Sequence, residues 1–242
     1  MHPDELLDAL RRETDAMARL AGEADPATDV PSCPGWTIQT VINHCGRVHR
    51  WAAAIVRDGA TDRPEFPPRP PVIDRAWFED GARELLDALT QAEPDADAWN
   101  HMGQAPKVRF WIRRQAHETA IHRWDVDDAA HPGAAEPVET ELAIDGIDEL
   151  LDVILPRAYE GGDLGGTVHL HATDSPHGEW LVRTSGGELL VGHDHQKGDA
   201  AVRGTASDLL LWLWGRRGLD SALEVFGDPA LAVRLTEVLR AP

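Results

Sequence analysis

The chain has 242 residues, of which 42% are hydrophobic and 27% charged, ordinary values that exclude wholesale disorder and allow one large domain or two modest ones with a real core. Its 42 acidic side chains against 23 basic ones leave a net charge of −19. That balance excludes a broad nucleic-acid-binding face, which would need clustered Lys and Arg where this chain has only Lys107 and Lys197 among its lysines.

In chain order, residues 4–22 place apolar side chains at helical spacing and end on Gly22, which predicts a helix with a glycine C-cap. The Pro- and Asp-rich stretch ADPATDVPSCPGW is a connector. Thr37 then reads as the N-cap of a second helix running to about Asp58, with Gly59 following. RPEFPPRPPV is a stiff linker. A third helix is predicted over about 75–92, and a fourth from Pro106 to Asp128. Joined in this way, four helices suggest an up-and-down bundle.

Beyond HPGAAEPVET the pattern changes. Residues 140–155 read as one more helix, stopped by Pro156. GGTVHLHATD, GEWLVRTS, GELLVGHD and AAVRG are short alternating runs between turn signals, hence strands of an antiparallel sheet. ASDLLLWLWGRR and DPALAVRLTEVL return to helical spacing, the latter opening on Asp228-Pro229. The expectation is a helical domain over 1–135 and a smaller α+β domain over 136–242.

Chemistry concentrates in two helical segments. In RRQAHETAIHRWD, Glu118 and His122 are four apart and share one helix face. The string His117-Glu118 invites a protease reading, but HExxH needs its second His at 121, which is Ile. His117 and His122 lie roughly 140° apart around a helix of ~3.6 residues per turn and cannot share one ion. In VINHCGRVHRWAAAIV, His44 shares its spacing with Val41, Val48, Trp51 and Ile55 and points inward. Alone, such a His is usually a hydrogen-bonded core residue, and a Glu spaced with a His is often a surface ion pair. Yet Trp111, Gln115, Glu118 and His122 form one stripe, with Arg109, Arg113 and Arg123 better suited to the exposed face. His44, Glu118 and His122 would give three protein ligands and an open position, the pattern of a catalytic zinc. Asp125, about a turn past His122, could orient it.

Other groups have plainer readings. His169 and His171 share a strand face, as do His193 and His195, and facing strands could build a second metal site. A solvated outer face explains the same alternation and is the expected reading. Cys33 has no Lys, Arg or His adjoining it in sequence to lower its pKa, so it reads as loop packing. Two cysteines are too few for a disulfide framework. With no apolar N-terminal segment and no run of about 18 apolar residues, the expectation is a cytoplasmic chain without a membrane partner. Its acidic surface favours a monomer.

The segments VPSCPGWTIQTVINHCGRVHRWAAAIV and FWIRRQAHETAIHRWDVDDA resemble the mycothiol-dependent maleylpyruvate isomerase family, and TVHLHATDSPHGEWLVRT with AAVRGTASDLLLWLWGR resembles its C-terminal domain. The resemblance implies a DinB-like four-helix bundle followed by an α+β domain similar to sterol-carrier folds. It implies a divalent metal, usually zinc, on His44, Glu118 and His122. It also implies mycothiol, a low-molecular-weight thiol of actinobacteria, as cofactor. An Arg of the C-terminal domain is expected to bind a substrate carboxylate, with Arg216 the candidate and Arg203 its rival. The implied activity is thiol-dependent cis–trans isomerisation of maleylpyruvate. Two alternatives stand beside it: a mycothiol S-transferase acting on a small electrophile, and a non-catalytic carrier of a small apolar ligand.

Overall fold

Four long helices build the first unit, Met1–Glu136: α1 (Pro3–Glu23), α2 (Ile38–Arg57), α3 (Arg75–Gln91) and α4 (Val108–Ala130). The computed structural model describes residues 1–159, 161–193, 196–220 and 222–239. Helix α1 starts in a capping box, the His2 side chain accepting from the Asp4 N–H while Glu5 accepts from the His2 N–H. It runs through Gly22 to a cap at Ala24, so Gly22 is not the C-cap that the sequence suggested. A Cβ on Gly22 would stand 2.9 Å from Arg75 Cδ, so the glycine gives the Arg75 side chain room instead. Thr37 caps α2 by accepting from the Thr40 N–H, and Asp58 closes that helix. Asp74 caps α3 through the Trp77 N–H at 2.9 Å. Helix α4 begins after Lys107, two residues beyond Pro106.

Around the bundle the helices do not follow chain order. α4 packs mainly on α1 and α2, and α3 on α2 and α1, leaving α1 across from α2 and α3 across from α4. The long joints before α2 and before α4 are what permit such crossings. The core is continuous through Met17, Leu20, Val41, Ile42, Phe78 and Val126. Gly46 matters here because a Cβ at that position would lie 2.4 Å from the Trp77 ring, so only glycine lets α2 and α3 approach this closely.

α4 corrects one expectation. It has no broad exposed face, and Arg123 is 4% exposed. Arg123 Nε donates to Glu13 Oε2 at 2.7 Å, and its Nη1 lies 3.6 Å from Asp127 Oδ2. A polar side chain on a nearly all-buried helix is tolerated because each charge finds its counter-charge. Across α2 and α4, His49 Nε2 bonds Thr119 Oγ1 at 3.0 Å in full burial.

The second unit, Pro137–Pro242, opens with α5 (Thr140–Glu149), a π-helical turn over Leu150–Ile154, and α6 (Leu155–Ala158). Pro156 therefore does not stop this helix. A proline lacks the N–H and crowds the carbonyl four residues back. The preceding turn widens, with Leu155 N–H bonding Leu150 O, and the helix continues past the proline for two residues. Five strands follow: β1 (Thr167–Ala172), β2 (Glu179–Ser185), β3 (Glu188–Gly192), β4 (Ala200–Gly204) and β5 (Glu224–Gly227), with α7 (Ala206–Leu213) before β5 and α8 (Pro229–Val238) after it. The sheet order is β3-β2-β1-β4-β5. It is antiparallel at every seam but one. The β1–β4 pair is parallel, β4 lying on the edge of β1 that β2 leaves free. Val168, Leu170, Trp180, Val182 and Val202 are buried at alternating positions, the pattern of a half-covered sheet. Among the described residues, no helix is long and apolar enough to cross a membrane.

Two stability outcomes follow from these contacts. Glu13→Ala removes the Nε partner of the buried Arg123 while Asp127 and the Glu136 carbonyl still face its Nη1, and should cost about 1.5–3 kcal/mol in denaturant unfolding, with Glu13→Gln intermediate. Burial first, then the nearby charges of Arg50, His44 and His122, push the His49 pKa from 6.5 down to about 4, against the pull of Glu118. A histidine held neutral when folded binds its proton more readily once unfolded, so its stabilising contribution is complete above about 6.5 and is lost as pH falls towards 4. Stability measured across that window should fall more steeply for the wild type than for His49→Gln; equal slopes would contradict this.

Candidate metal centre

The N-terminal half of α2 and the middle of α4 bring His44, Glu118 and His122 together. One donor atom from each lies within 4.8 Å of the others. His44 Nε2 is 3.1 Å from Glu118 Oε1, and the His44 and His122 rings meet edge-on at 5.1 Å between centroids. The three side chains are 32%, 20% and 13% exposed, shielded yet reachable from solvent. His117 is buried elsewhere on the helix, as its spacing requires.

Electrostatics keep the carboxylate charged. Burial alone would raise the Glu118 pKa, but the hydrogen bond from His44, the charge of Arg114 and the fields of His44 and His122 outweigh it and hold the group well below the ordinary carboxylate range. Arg114 Nε lies 3.5 Å from Glu118 Oε2. Arg114 stands four residues before Glu118, so helical spacing alone could have marked it as a partner.

Asp125, expected to orient His122, does so. Its Oδ2 accepts from His122 Nδ1 at 2.9 Å, which fixes the ring and leaves Nε2 as the nitrogen that could reach an ion. Asp125 is wholly buried. Its Oδ1 also accepts from Ser32 Oγ at 2.6 Å, and Oδ2 from Cys33 Sγ at 3.4 Å. Cys33 thus sits beside the constellation rather than merely in a loop. Because 92 residues separate Cys33 from Asp125, no local signal in the sequence could have found this contact.

The loop before α2 is built to place these groups. Trp36 N–H donates to Cys33 O, Val30 N–H to Trp36 O, and Ile38 N–H to Thr28 O. Gly35 takes φ +82 in this turn, a conformation that side chains with a Cβ rarely adopt. The loop sets the Trp36 ring 5.2 Å from His44 and nearly parallel to His122 at 6.3 Å. Trp36 was not singled out from sequence. Gln115, on the stripe with Glu118, is fully buried, and neither of its amide atoms has a hydrogen-bond partner.

Burial, followed by the charges of Glu118, Asp125 and Cys33, raises the Cys45 thiol well above its ordinary pKa. It is therefore a core thiol. Neither cysteine is in a disulfide. In the second unit, Arg216 Nη1 donates to Trp214 O at 2.8 Å and its guanidinium lies 5.6 Å from the Trp214 ring centre. Its neighbour Arg217 is engaged by Asp208. Arg203 is exposed on β4. Of the strand histidines, His195 lies outside the described residues.

Two imidazoles and a carboxylate with donor atoms this close, one ring fixed through its second nitrogen, form a donor set that fits a divalent ion such as Zn2+. The chain matches a family model described as the mycothiol maleylpyruvate isomerase N-terminal domain over residues 7–127, and the C-terminal domain model of the same enzyme over residues 141–234. Among solved structures it is similar to the mycothiol-dependent maleylpyruvate isomerase at 15% identity, with a TM-score of 0.66 and 93% of each chain covered. A His→Ala mutant of that enzyme matches at 14% identity and a TM-score of 0.65, again over 93% of each chain. No curated protein matches. With both of its domain models matched in order along the chain, this protein belongs to the mycothiol-dependent maleylpyruvate isomerase family.

Proposed function

We propose that this chain is a metal-dependent enzyme that uses mycothiol to isomerise a maleylpyruvate-like substrate, with His44, Glu118 and His122 as the metal ligands. The single observation behind this reading is the convergence of those three donors from α2 and α4 within 4.8 Å of one another. Zinc suits two imidazoles and a carboxylate, and a bound divalent ion would supply Lewis acidity that keeps a thiol ionised near neutral pH.

The chain's own residues do the positioning. Asp125 holds His122 through Nδ1. Arg114 offsets the charge of Glu118, so that Glu118 stays ionised without drawing a proton from solvent. Trp36 lies against both histidine rings, tilted at 5.2 Å from His44 and stacked at 6.3 Å on His122. Arg216, the candidate from the family resemblance, is the proposed partner of the substrate carboxylate, since a planar guanidinium suits a carboxylate. Thiol transfer onto an electrophile and simple carriage of an apolar ligand are the readings that the experiments below separate from isomerisation.

Bound zinc measured on purified protein should fall sharply in His44→Ala, Glu118→Ala and His122→Ala, while Asp125→Asn should weaken affinity by about 10–100-fold. A His122→Ala protein that keeps one tightly held ion at this site would refute the ligand set.

Thiol stoichiometry decides the reaction. An isomerase returns its mycothiol, so substrate should convert with no net thiol loss; one thiol consumed per turnover would mean a transferase. Conversion of no electrophile, with apolar ligand bound equally by wild type and His122→Ala, would leave the carrier. If Arg216 holds a carboxylate, Arg216→Ala should raise KM more for a carboxylate substrate than for a neutral electrophile.

A further inference from the structure

The β1–β2 hairpin carries a second cluster with the chemistry of a metal site. His169 and His171 are two residues apart on β1 and therefore face the same way. Glu179 is the direct cross-strand partner of His171, while His169 pairs with Leu181. Glu179 is thus opposite one histidine and diagonal to the other, within reach of a long side chain. It uses both reaches: its Oε1 accepts from His171 Nδ1 at 2.7 Å, and its Oε2 accepts from His169 Nε2. One donor atom from each of the three lies within 4.8 Å of the other two.

A merely solvated strand face does not account for this. Histidines on such a face would extend separately into water, whereas His169 is 7% exposed and both rings aim at one carboxylate. We propose that His169, His171 and Glu179 hold a divalent transition-metal ion, separate from the His44, Glu118 and His122 centre. Two imidazoles and one carboxylate are the ligands of several zinc hydrolases and of non-haem iron(II) sites. The nitrogens facing Glu179, Nε2 of His169 and Nδ1 of His171, are the ones that bind. Each ring then carries its proton on the other nitrogen instead of sharing it with Glu179. The ladder between β1 and β2 fixes the spacing of all three ligands before any ion arrives, which lowers the cost of assembling the site. The ion would cross-link these two strands.

A further cluster among the described residues of this unit, Asp148, Asp152 and His193, is more open. The His193 side chain is 51% exposed and its nitrogens lie 3.6 Å from the carboxylates, so it carries no comparable argument.

The test uses the full chain with the first centre removed. A metal-free His44→Ala/Glu118→Ala/His122→Ala variant is titrated with Co2+ and then Zn2+, read by calorimetry and by visible absorption. One equivalent should bind, and Zn2+ should raise the melting temperature. Adding Glu179→Gln or His171→Ala should abolish both, with the far-ultraviolet circular dichroism unchanged. His171 is partly exposed, which makes its variant the one best placed to fold, and in the wild-type background it should lower the stoichiometry by one. No binding by the triple variant, or undiminished binding after Glu179→Gln and His171→Ala, overturns the proposal. Failure of the first centre reads differently, as equal stoichiometry in the wild type and the triple variant.

Discussion

A negative charge inside a helical bundle must be compensated, and the first unit is organised around compensating Glu118. An isolated carboxylate removed from water would take up a proton rather than stay charged. Here Arg114 reaches it from one turn earlier on α4, and His44 reaches it from α2. The same arrangement leaves the two imidazoles and the carboxylate converging on one point. Compensation of the charge and convergence of three donor groups are therefore one structural solution.

That solution depends on a second buried carboxylate. Asp125 takes hydrogen bonds from Ser32, Cys33 and His122, so it ties the loop before α2 to the last part of α4. The loop in turn positions Trp36 against both histidines and ends in the Thr37 cap of α2, the helix that carries His44. Disturbing Asp125 would thus loosen both the His122 ring and the loop that carries Trp36. Gln115 lies on the same stripe with its amide unpaired, and a buried amide in that state is a polar surface that a bound molecule could satisfy.

The second unit shows how sheet register creates chemistry that strand pattern leaves open. The alternation of Val168, Leu170 and Ala172 with His169 and His171 says only that the histidines share a face. Whether they meet a carboxylate depends on which residue of β2 stands opposite, and the pairing of His171 with Glu179 decides it. A slip of one residue would have turned Glu179 to the other face.

The starts of α2, α3 and α8 were legible because capping is local: Thr37, Asp74 and Asp228 each bond backbone N–H groups within three residues of themselves. Spacing alone put Glu118 and His122 on one face and excluded His117, since a helix has a fixed period. Arg123 was misjudged because exposure depends on what packs around a helix, and α4 is enclosed by α1 and α2 where its own sequence suggests a polar face. Gly22 and Pro156 were misjudged for a related reason. A glycine that makes room for a neighbouring side chain looks like a cap, and a π-helical turn absorbs a proline that would otherwise end the helix. The sequence by itself determined which residue types could bind a metal and which helices carried them. Only the tertiary structure decided that Cys33 and Ser32 join them, because more than 90 residues separate each from Asp125, and that Glu179 meets both histidines of β1, because strand register rather than strand pattern sets what stands opposite.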